Sequence, residues 1–400
     1  MRPLSTKAQA IKASTTLGID ALYKQMRAEG IDVVGFGAGE PDFDTPEHIK
    51  QSGIDAIQNN FTRYTPAPGI MELREAICNR LQTDCNVRYE PSQIVCSSGA
   101  KHNLYLAFQA LLNPGDEVIL PAPYWVSYEE MIRMASGVPV IIATDEKTLF
   151  KIDAQRLESA ITPQTKALVL NSPCNPTGMC YNEAELRALA DVCVRHGIYV
   201  ISDEIYYQLL FDGRTFTSFA ALGEEIKAQT ILINGVSKSY AMTGWRLGYA
   251  AAPKEIAGIM SNYQSHSTSA PCGISQKAAF AALTGPQEHV AQMRRAFETR
   301  RDFFVDQIKH IDGVSCLKPE GAFYVMMNIA PLIGSRLFGE TIGCADDFAG
   351  LLLRRGQVAV VPCDGFGAPH HLRWSYAVSM ETIQKGLDRL ERFLAEGRSA

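Results

Sequence analysis

The chain has 400 residues, 46% of them hydrophobic and 20% charged, which is ample apolar material for a large core and excludes a disordered chain. Its 38 basic and 43 acidic side chains leave a net charge of −5 and are interspersed without runs, so there is no basic footprint for nucleic acid. Ten cysteines stand far apart with no C-x-x-C pair, and no apolar run approaches the roughly 18 residues of a membrane span, so the expectation is a reduced, cytoplasmic protein without a metal site, disulfide framework, signal segment or membrane anchor.

Ile19, Leu22, Tyr23 and Met26 recur at helical spacing, with Ser14 to Thr16 as caps and Gly30 as a stop, which predicts an amphipathic helix lying over a larger body. Thr45-Pro46 reads as the N-cap and first residue of a second helix. From there short apolar runs alternate with helical stretches, a rhythm that predicts a mostly parallel sheet covered on both faces. Its strands are expected at Ile94 to Ser97, Glu117 to Leu120, Val138 to Ala143, Ala167 to Leu170, Tyr199 to Ser202, Thr230 to Ile233 and Leu247 to Ala252. After a helical stretch from about Pro286 to Ile311 the pattern changes to a strand over Ala322 to Asn328, a helix near Ala345 to Arg355, and strands at Val358 to Val361 and His371 to Ala377. The fold class read from this order is α/β: a large seven-stranded domain over residues 46–300 and a smaller α+β domain over 301–400, joined by the N-terminal segment 1–45.

Polar residues gather where these strands end. Ser97-Ser98-Gly99-Ala100-Lys101 lies between a strand and a helical run, so its backbone N–H groups stand at a helix N-terminus, an anion site. Asn171 to Gly178, Ser202 to Tyr206 and Ser237-Lys238 follow three later strands, and ligands in such sheets bind outside the carboxyl ends of strands. Taken singly, each has a plainer reading: Asp203 as an N-cap, Tyr206 as a core aromatic, Asn175 as a turn residue, Lys238 as a solvated lysine. Together they supply a partner for every polar end of pyridoxal phosphate. Asp203 would pair with the ring nitrogen, Tyr206 and Asn175 with the phenolic oxygen, and Arg246 with the phosphate, while Lys238 would carry the cofactor and serve as the base at the substrate Cα.

The stretch Val236-Ser237-Lys238-Ser239-Tyr240-Ala241-Met242-Thr243-Gly244-Trp245-Arg246-Leu247-Gly248-Tyr249 resembles the cofactor-lysine signature of the class I aminotransferases, and more closely their bacterial aspartate aminotransferase branch. The likeness runs in one order through Gly37 to Pro46, Arg63 to Pro66, Pro123 to Tyr128, Asn175 to Gly178, Gly321 to Tyr324 and Leu372 to Tyr376. It implies the pyridoxal-phosphate-dependent transferase fold of type I. It also implies that Trp125 stacks on the cofactor ring, that Gly99, Ala100 and Lys101 help hold the phosphate, and that Tyr64 reaches the phosphate of a neighbouring subunit in a homodimer with shared active sites. Gly39, Asn175, Trp125 and Arg373 would receive the substrate, the arginine through a planar two-bond fork on the α-carboxylate. One position departs from the pattern: many relatives carry a phosphate-binding serine three residues before the lysine, where this chain has Gly235, which shifts the load to Lys101 and Arg246.

The distal end of the substrate is less legible. Lys12 resembles a position associated in this branch with dicarboxylic substrates, prephenate among them, and Lys12, Lys101, Ser14 and Thr16 are the candidates for a distal carboxylate. The expected reaction moves an amino group between aspartate or glutamate and 2-oxoglutarate or oxaloacetate. An aromatic aminotransferase or a lyase of the same fold is the alternative, and Gly35-Phe36-Gly37-Ala38-Gly39 as a dinucleotide loop is the rival from another class, disfavoured by its glycine spacing and by Pro41. The adjacent His370 and His371 would point to opposite faces of a strand, so no metal is expected there.

Overall fold

The structure is a computed structural model that describes residues 2–11 and 16–399. A helix over Thr16–Ala28 leads, past Gly30 at φ 81°, into a two-residue strand β1 (Val34–Gly35). Seven strands follow: β2 (Ile94–Ser97), β3 (Glu117–Ala122), β4 (Val138–Ala143), β5 (Thr165–Asn171), β6 (Tyr199–Asp203), β7 (Thr230–Gly235) and β8 (Gly248–Ala251). They form one sheet in the order β2-β8-β7-β6-β5-β3-β4, parallel throughout except for β8, which runs antiparallel to both its neighbours. All seven predicted strands are present, and the reason is visible in their burial. Successive residues of β6 enter opposite cores, Val200 with Leu168 and Leu189 on one face, Ile201 with Val95, Phe108 and Ile233 on the other. A strand buried on both faces is a continuous apolar run, which stands out in the sequence.

Several element ends shift by one to three residues, and two differences have a specific cause. The second helix begins at Glu47 with Pro46 as its N-cap, and Thr45 does not cap it, because Thr45 Oγ1 donates instead to Ala241 O at 2.6 Å and accepts from Trp245 Nε1 at 3.0 Å. The predicted strand from Val358 to Val361 is two strands, for a reason given below.

Beyond the long helix Glu288–Ile308 come β9 (Ser315–Cys316), β10 (Tyr324–Asn328), a short hairpin β11 (Arg336–Leu337) and β12 (Glu340–Thr341), then β13 (Val358–Ala359), β14 (Val361–Pro362) and β15 (His371–Ser375). Between β12 and β13 a helix over Ala345–Leu351 widens into a π turn through Leu352–Gly356. A four-stranded antiparallel sheet in the order β14-β15-β10-β9 carries Arg373 on β15, between Met326 on β10 and Val361 on β14. The chain changes partners at Val360: β13 pairs in parallel with β1, Val34 opposite Val358, and two residues later β14 pairs with β15. The long helix buries Phe297, Phe304 and Ile308, at spacings that share one face, against this layer, where the Trp374 ring lies tilted 4.8 Å from Phe36 and edge-on 5.5 Å from Phe304. No described helix is long and apolar enough to cross a membrane.

Candidate active site

The carboxyl ends of β5, β6 and β7 and the N-terminus of the helix Ala100–Leu111 open into a cavity of about 770 Å³, roofed by Gly35, residues 37–40, Tyr324, Val361, Phe366 and Arg373. Asp203 is the last residue of β6, and its carboxylate is 4% exposed. Tyr128 donates to its Oδ2 at 2.6 Å and Ile205 N to its Oδ1 at 3.2 Å, and Asn171 Nδ2 holds its backbone carbonyl at 2.9 Å. Burial pushes the Asp203 pKa up to about 6 against the pull of Tyr128, Ile205 N and Lys238.

Lys238 follows β7 and faces the same cavity, its Nζ donating to Gly39 O at 2.5 Å and lying 5.9 Å from the centre of the Tyr206 ring and 5.8 Å from that of Phe323. Desolvation brings its pKa down to about 8; Glu40 opposes the shift and the Arg373 and Arg246 charges add to it. An amine lowered this far is substantially neutral in mildly alkaline water, the form that can act as nucleophile or base. Tyr206 is wedged edge-on between Phe323 and Tyr324, its hydroxyl 2.9 Å from that of Tyr324, and burial holds its pKa well above the ordinary value.

Asn175 and Arg373 meet at the other wall. Asn175 N donates to Asn171 Oδ1 at 2.8 Å, and its own Oδ1 accepts from Arg373 Nη1 at 3.1 Å. Arg373 Nη2 donates to Gly37 O at 2.9 Å, and the guanidinium lies 4.6 Å over Tyr324 and 5.3 Å over Phe366. It is 5% exposed, and among the described residues it has no carboxylate partner and its buried Nε has no hydrogen bond. A buried guanidinium left in that state is costly unless an anion completes it.

The end of the cavity at the N-terminus of the helix Ala100–Leu111 is built from backbone. Gly99 sits at φ 88° as N-cap of the helix Ala100–Leu111, which has no side-chain cap, and Ala100 and Lys101 line the cavity. A Cβ on Gly99 would stand 2.5 Å from Arg246 Nη2, so only glycine lets the arginine close over the loop. Arg246 is held there by Thr243 O at 2.9 Å and Ser98 O at 3.4 Å. Gly235 also has a structural reason: β7 and β8 are so close that a Cβ there would lie 2.9 Å from Gly248 Cα and 3.1 Å from Leu247 O, leaving no room for a serine. Trp125 lines the wall with Lys101 Nζ 4.7 Å over its ring.

The structure therefore gathers Lys238, Asp203, Tyr206, Asn175, Arg373, Arg246, Trp125, Ala100, Lys101 and Gly39 around one cavity, with Gly99 directly beneath Arg246. Tyr64 does not line it; its side chain is 98% exposed. Lys12 and Ser14 lie outside the described residues, as does the side chain of Thr16. No helix opens after Gly35 to Gly39, where a dinucleotide loop would need one; the next helix starts at Glu47. Among the described residues no group of three or more His, Cys, Asp or Glu is placed to hold a metal ion. Sequence reasoning places Asn171 and Ser237 at strand ends but gives no individual role to them or to Tyr128 and Glu40, all four of which stand in the cavity wall. For Tyr128 a signal existed: three residues after Trp125 at a helix start, it shares that ring's side and packs edge-on to it at 5.4 Å.

A half-buried lysine with a buried aspartate and tyrosine at the strand ends of a mostly parallel seven-stranded sheet define an α/β enzyme of the fold type I transferase class. The family model for aminotransferase class I and II matches residues 31–390. An aspartate aminotransferase of Geobacillus stearothermophilus is 48% identical over 98% of both chains, and a probable aspartate/prephenate aminotransferase of Aquifex aeolicus is 44% identical over 98% of this chain and 99% of its own. The crystal structure of the aspartate aminotransferase from Rhizobium meliloti superposes with a TM-score of 0.96 at 41% identity, covering 99% of this chain and all of that one. The chain belongs to the class I and II aminotransferase family and is an enzyme of amino-group transfer. Members of this family work with pyridoxal phosphate.

Proposed function

We propose that this enzyme holds pyridoxal phosphate in the cavity and exchanges amino groups between aspartate or glutamate and the corresponding 2-oxo acids. The observation that carries the reading is Arg373, a buried guanidinium whose Nε is unpartnered among the described residues, beside Asn175 and facing a lysine and an aspartate whose pKa values are displaced toward neutrality. The cavity suits the cofactor at each end. Asp203, oriented by Tyr128, would hold the ring nitrogen; Tyr206 and Asn175 would hold the phenolic oxygen; Trp125 would cover the ring. The N-terminal amides at Ala100 and Lys101, with Arg246, would hold the phosphate.

Bound pyridoxal phosphate supplies the electron sink that lets the substrate Cα–H bond break. The chain does the rest. Arg373 fixes the α-carboxylate by its planar fork, which sets the direction in which the Cα–H bond points. Lys238 Nζ, with its lowered pKa and its neighbour Gly39 O, takes the Cα proton and passes it on. The roof formed by Gly35, residues 37–40, Tyr324 and Phe366 keeps water from the reacting carbon. Tyr64, turned away from its own cavity, would complete the phosphate site of a second subunit, so the working unit is a homodimer.

The distal carboxylate would meet Lys101, with Lys12, Ser14 and Thr16 as further candidates. Relatives named for aspartate alone share 42% to 48% identity with this chain and those named for aspartate and prephenate share 43% to 45%, so overall likeness does not separate the two substrate ranges. The test is a half-reaction. The purified, cofactor-loaded enzyme mixed with aspartate alone is expected to release one oxaloacetate per site, and a panel of 2-oxo acids including prephenate then ranks the acceptors. No oxaloacetate from aspartate would overturn the assignment.

A further inference from the structure

Tyr64 stands in water, and among the described residues it makes no hydrogen bond or ring contact, yet the backbone that follows it is fastened from inside. Gln276, fully buried in the helix Gly273–Thr284, accepts from Ile70 N at 2.8 Å. Its amide nitrogen donates to Thr65 Oγ1 at 2.9 Å and to Pro271 O at 2.8 Å. Gln264, fully buried in the helix Lys254–Ser265, donates to Ala67 O at 2.5 Å and to Cys96 O at 2.8 Å and accepts from Ser97 Oγ. Cys96 N adds a bond to Pro68 O at 3.0 Å. Leucines could fill the same volume without polar groups to satisfy. Two buried amides trained on one six-residue stretch hold a specified backbone conformation, which is what satisfied polar networks do and apolar packing does less well.

We propose that Gln276 is a positioning residue for the neighbouring subunit's active site, setting the segment from Thr65 to Ile70 so that Tyr64 is presented to the partner's cofactor phosphate. The proposal rests on the reading of Tyr64 given above. Gln264 braces the same segment, but through Ser97 it also touches the approach to its own chain's phosphate loop, so it acts on both sites at once. Gln276 reaches only the braced segment and Pro271, and it isolates the effect across the interface.

The test uses mixed dimers, purified through two affinity tags, in which one subunit carries Lys238→Ala so that a single lysine-bearing site remains. In one arrangement Gln276→Leu sits on the subunit that keeps Lys238; in the other it sits on the Lys238→Ala subunit, which lends its Tyr64 to the surviving site. Release of lysine-linked pyridoxal phosphate is followed by absorbance, alongside dimer mass and thermal unfolding. Release is expected to be about five- to tenfold faster in the second arrangement alone, the scale of a lost buried hydrogen bond. Equal release in the two arrangements overturns the proposal, because both carry the same mutations and any general loss of stability affects them alike. Tyr64→Phe in the same pair separates the two levels of inference. If it too ignores the arrangement, the assignment of Tyr64 to the partner's site fails and the role of Gln276 with it; if it follows the arrangement and Gln276→Leu does not, only the role of Gln276 falls. Gln276→Glu, which keeps the acceptor for Ile70 N, serves if the leucine variant does not fold, with the same two outcomes.

Discussion

The two walls of the cavity are finished to different degrees. On the wall made by the large sheet, Asp203 already has Tyr128, Ile205 N and Asn171, and Tyr206 has Tyr324. On the wall made by the four-stranded sheet, Arg373 has among the described residues two neutral acceptors, no carboxylate and an idle Nε. A group that stays in place through every turnover can be completed by the chain itself. One that must take and release an anion each time has to keep part of its bonding capacity free. The first wall reads as machinery for the resident cofactor, the second as machinery for the passing substrate.

The sharpest way to break that contrast is Lys238→Ala, which removes the amine from the first wall. It is expected to lower turnover by about a thousandfold or more while 2-oxo acid binding persists, checked by single-turnover kinetics and ligand titration. Arg373→Lys addresses the second wall: charge remains and the fork is lost. There kcat/KM for aspartate and 2-oxoglutarate should fall about 10- to 100-fold with cofactor affinity little changed, and equal losses in both would merge the two walls into one. Tyr128→Phe is a smaller cut in the first wall. Without its donor, the Asp203 pKa should rise further, and kcat should fall about fivefold with the acid limb of its pH profile displaced upward, while KM holds.

The smallest effect concerns stability. The folded pKa of Asp203, about 6, lies above the ordinary 3.8. Its contribution to stability is therefore fully present below the unfolded value and is lost as pH rises through about 6. At pH 8 the buried carboxylate is ionised at a cost, so Asp203→Asn should raise the melting temperature of the cofactor-free protein by about 2 °C at that pH, and not at pH 4, as it destroys catalysis. Cofactor loading supplies the complementary profile: since Lys238 must be neutral to react, the rate of reconstitution should climb with pH up to about 8 and then level off.

Most of this was legible in the sequence because two-sided burial writes itself as apolar runs, and polar residues at the ends of such runs have few structural reasons to be there. What escaped did so for local reasons. Thr45 looked like a helix cap, but the side chain is taken by Ala241 O and Trp245, a contact separated by about two hundred residues that no short-range rule reaches. Val358 to Val361 read as one strand because its apolar pattern is unbroken; the exchange of partners at Val360 is a property of the neighbours, not of the segment. Gly235 in place of a serine reads as shifting the phosphate's load to Lys101 and Arg246, whereas the closeness of β7 and β8 explains the glycine by packing alone. Tyr128 was passed over because a tyrosine near a helix start is ordinary until a carboxylate is found 2.6 Å away.

The exchange of partners at Val360 also ties the beginning of the chain to the substrate. Val358 is clasped by Val34, Val361 lies opposite Arg373, Ser375 N donates to Phe36 O, and Arg373 itself holds Gly37 O. The early strand, the roof loop and the arginine are thus joined by one run of strand pairs and hydrogen bonds that changes partners at a single residue. Trimming or tethering the start of this enzyme is therefore expected to change its grip on a carboxylate rather than merely remove a cover, which the KM of a shortened variant for 2-oxoglutarate checks.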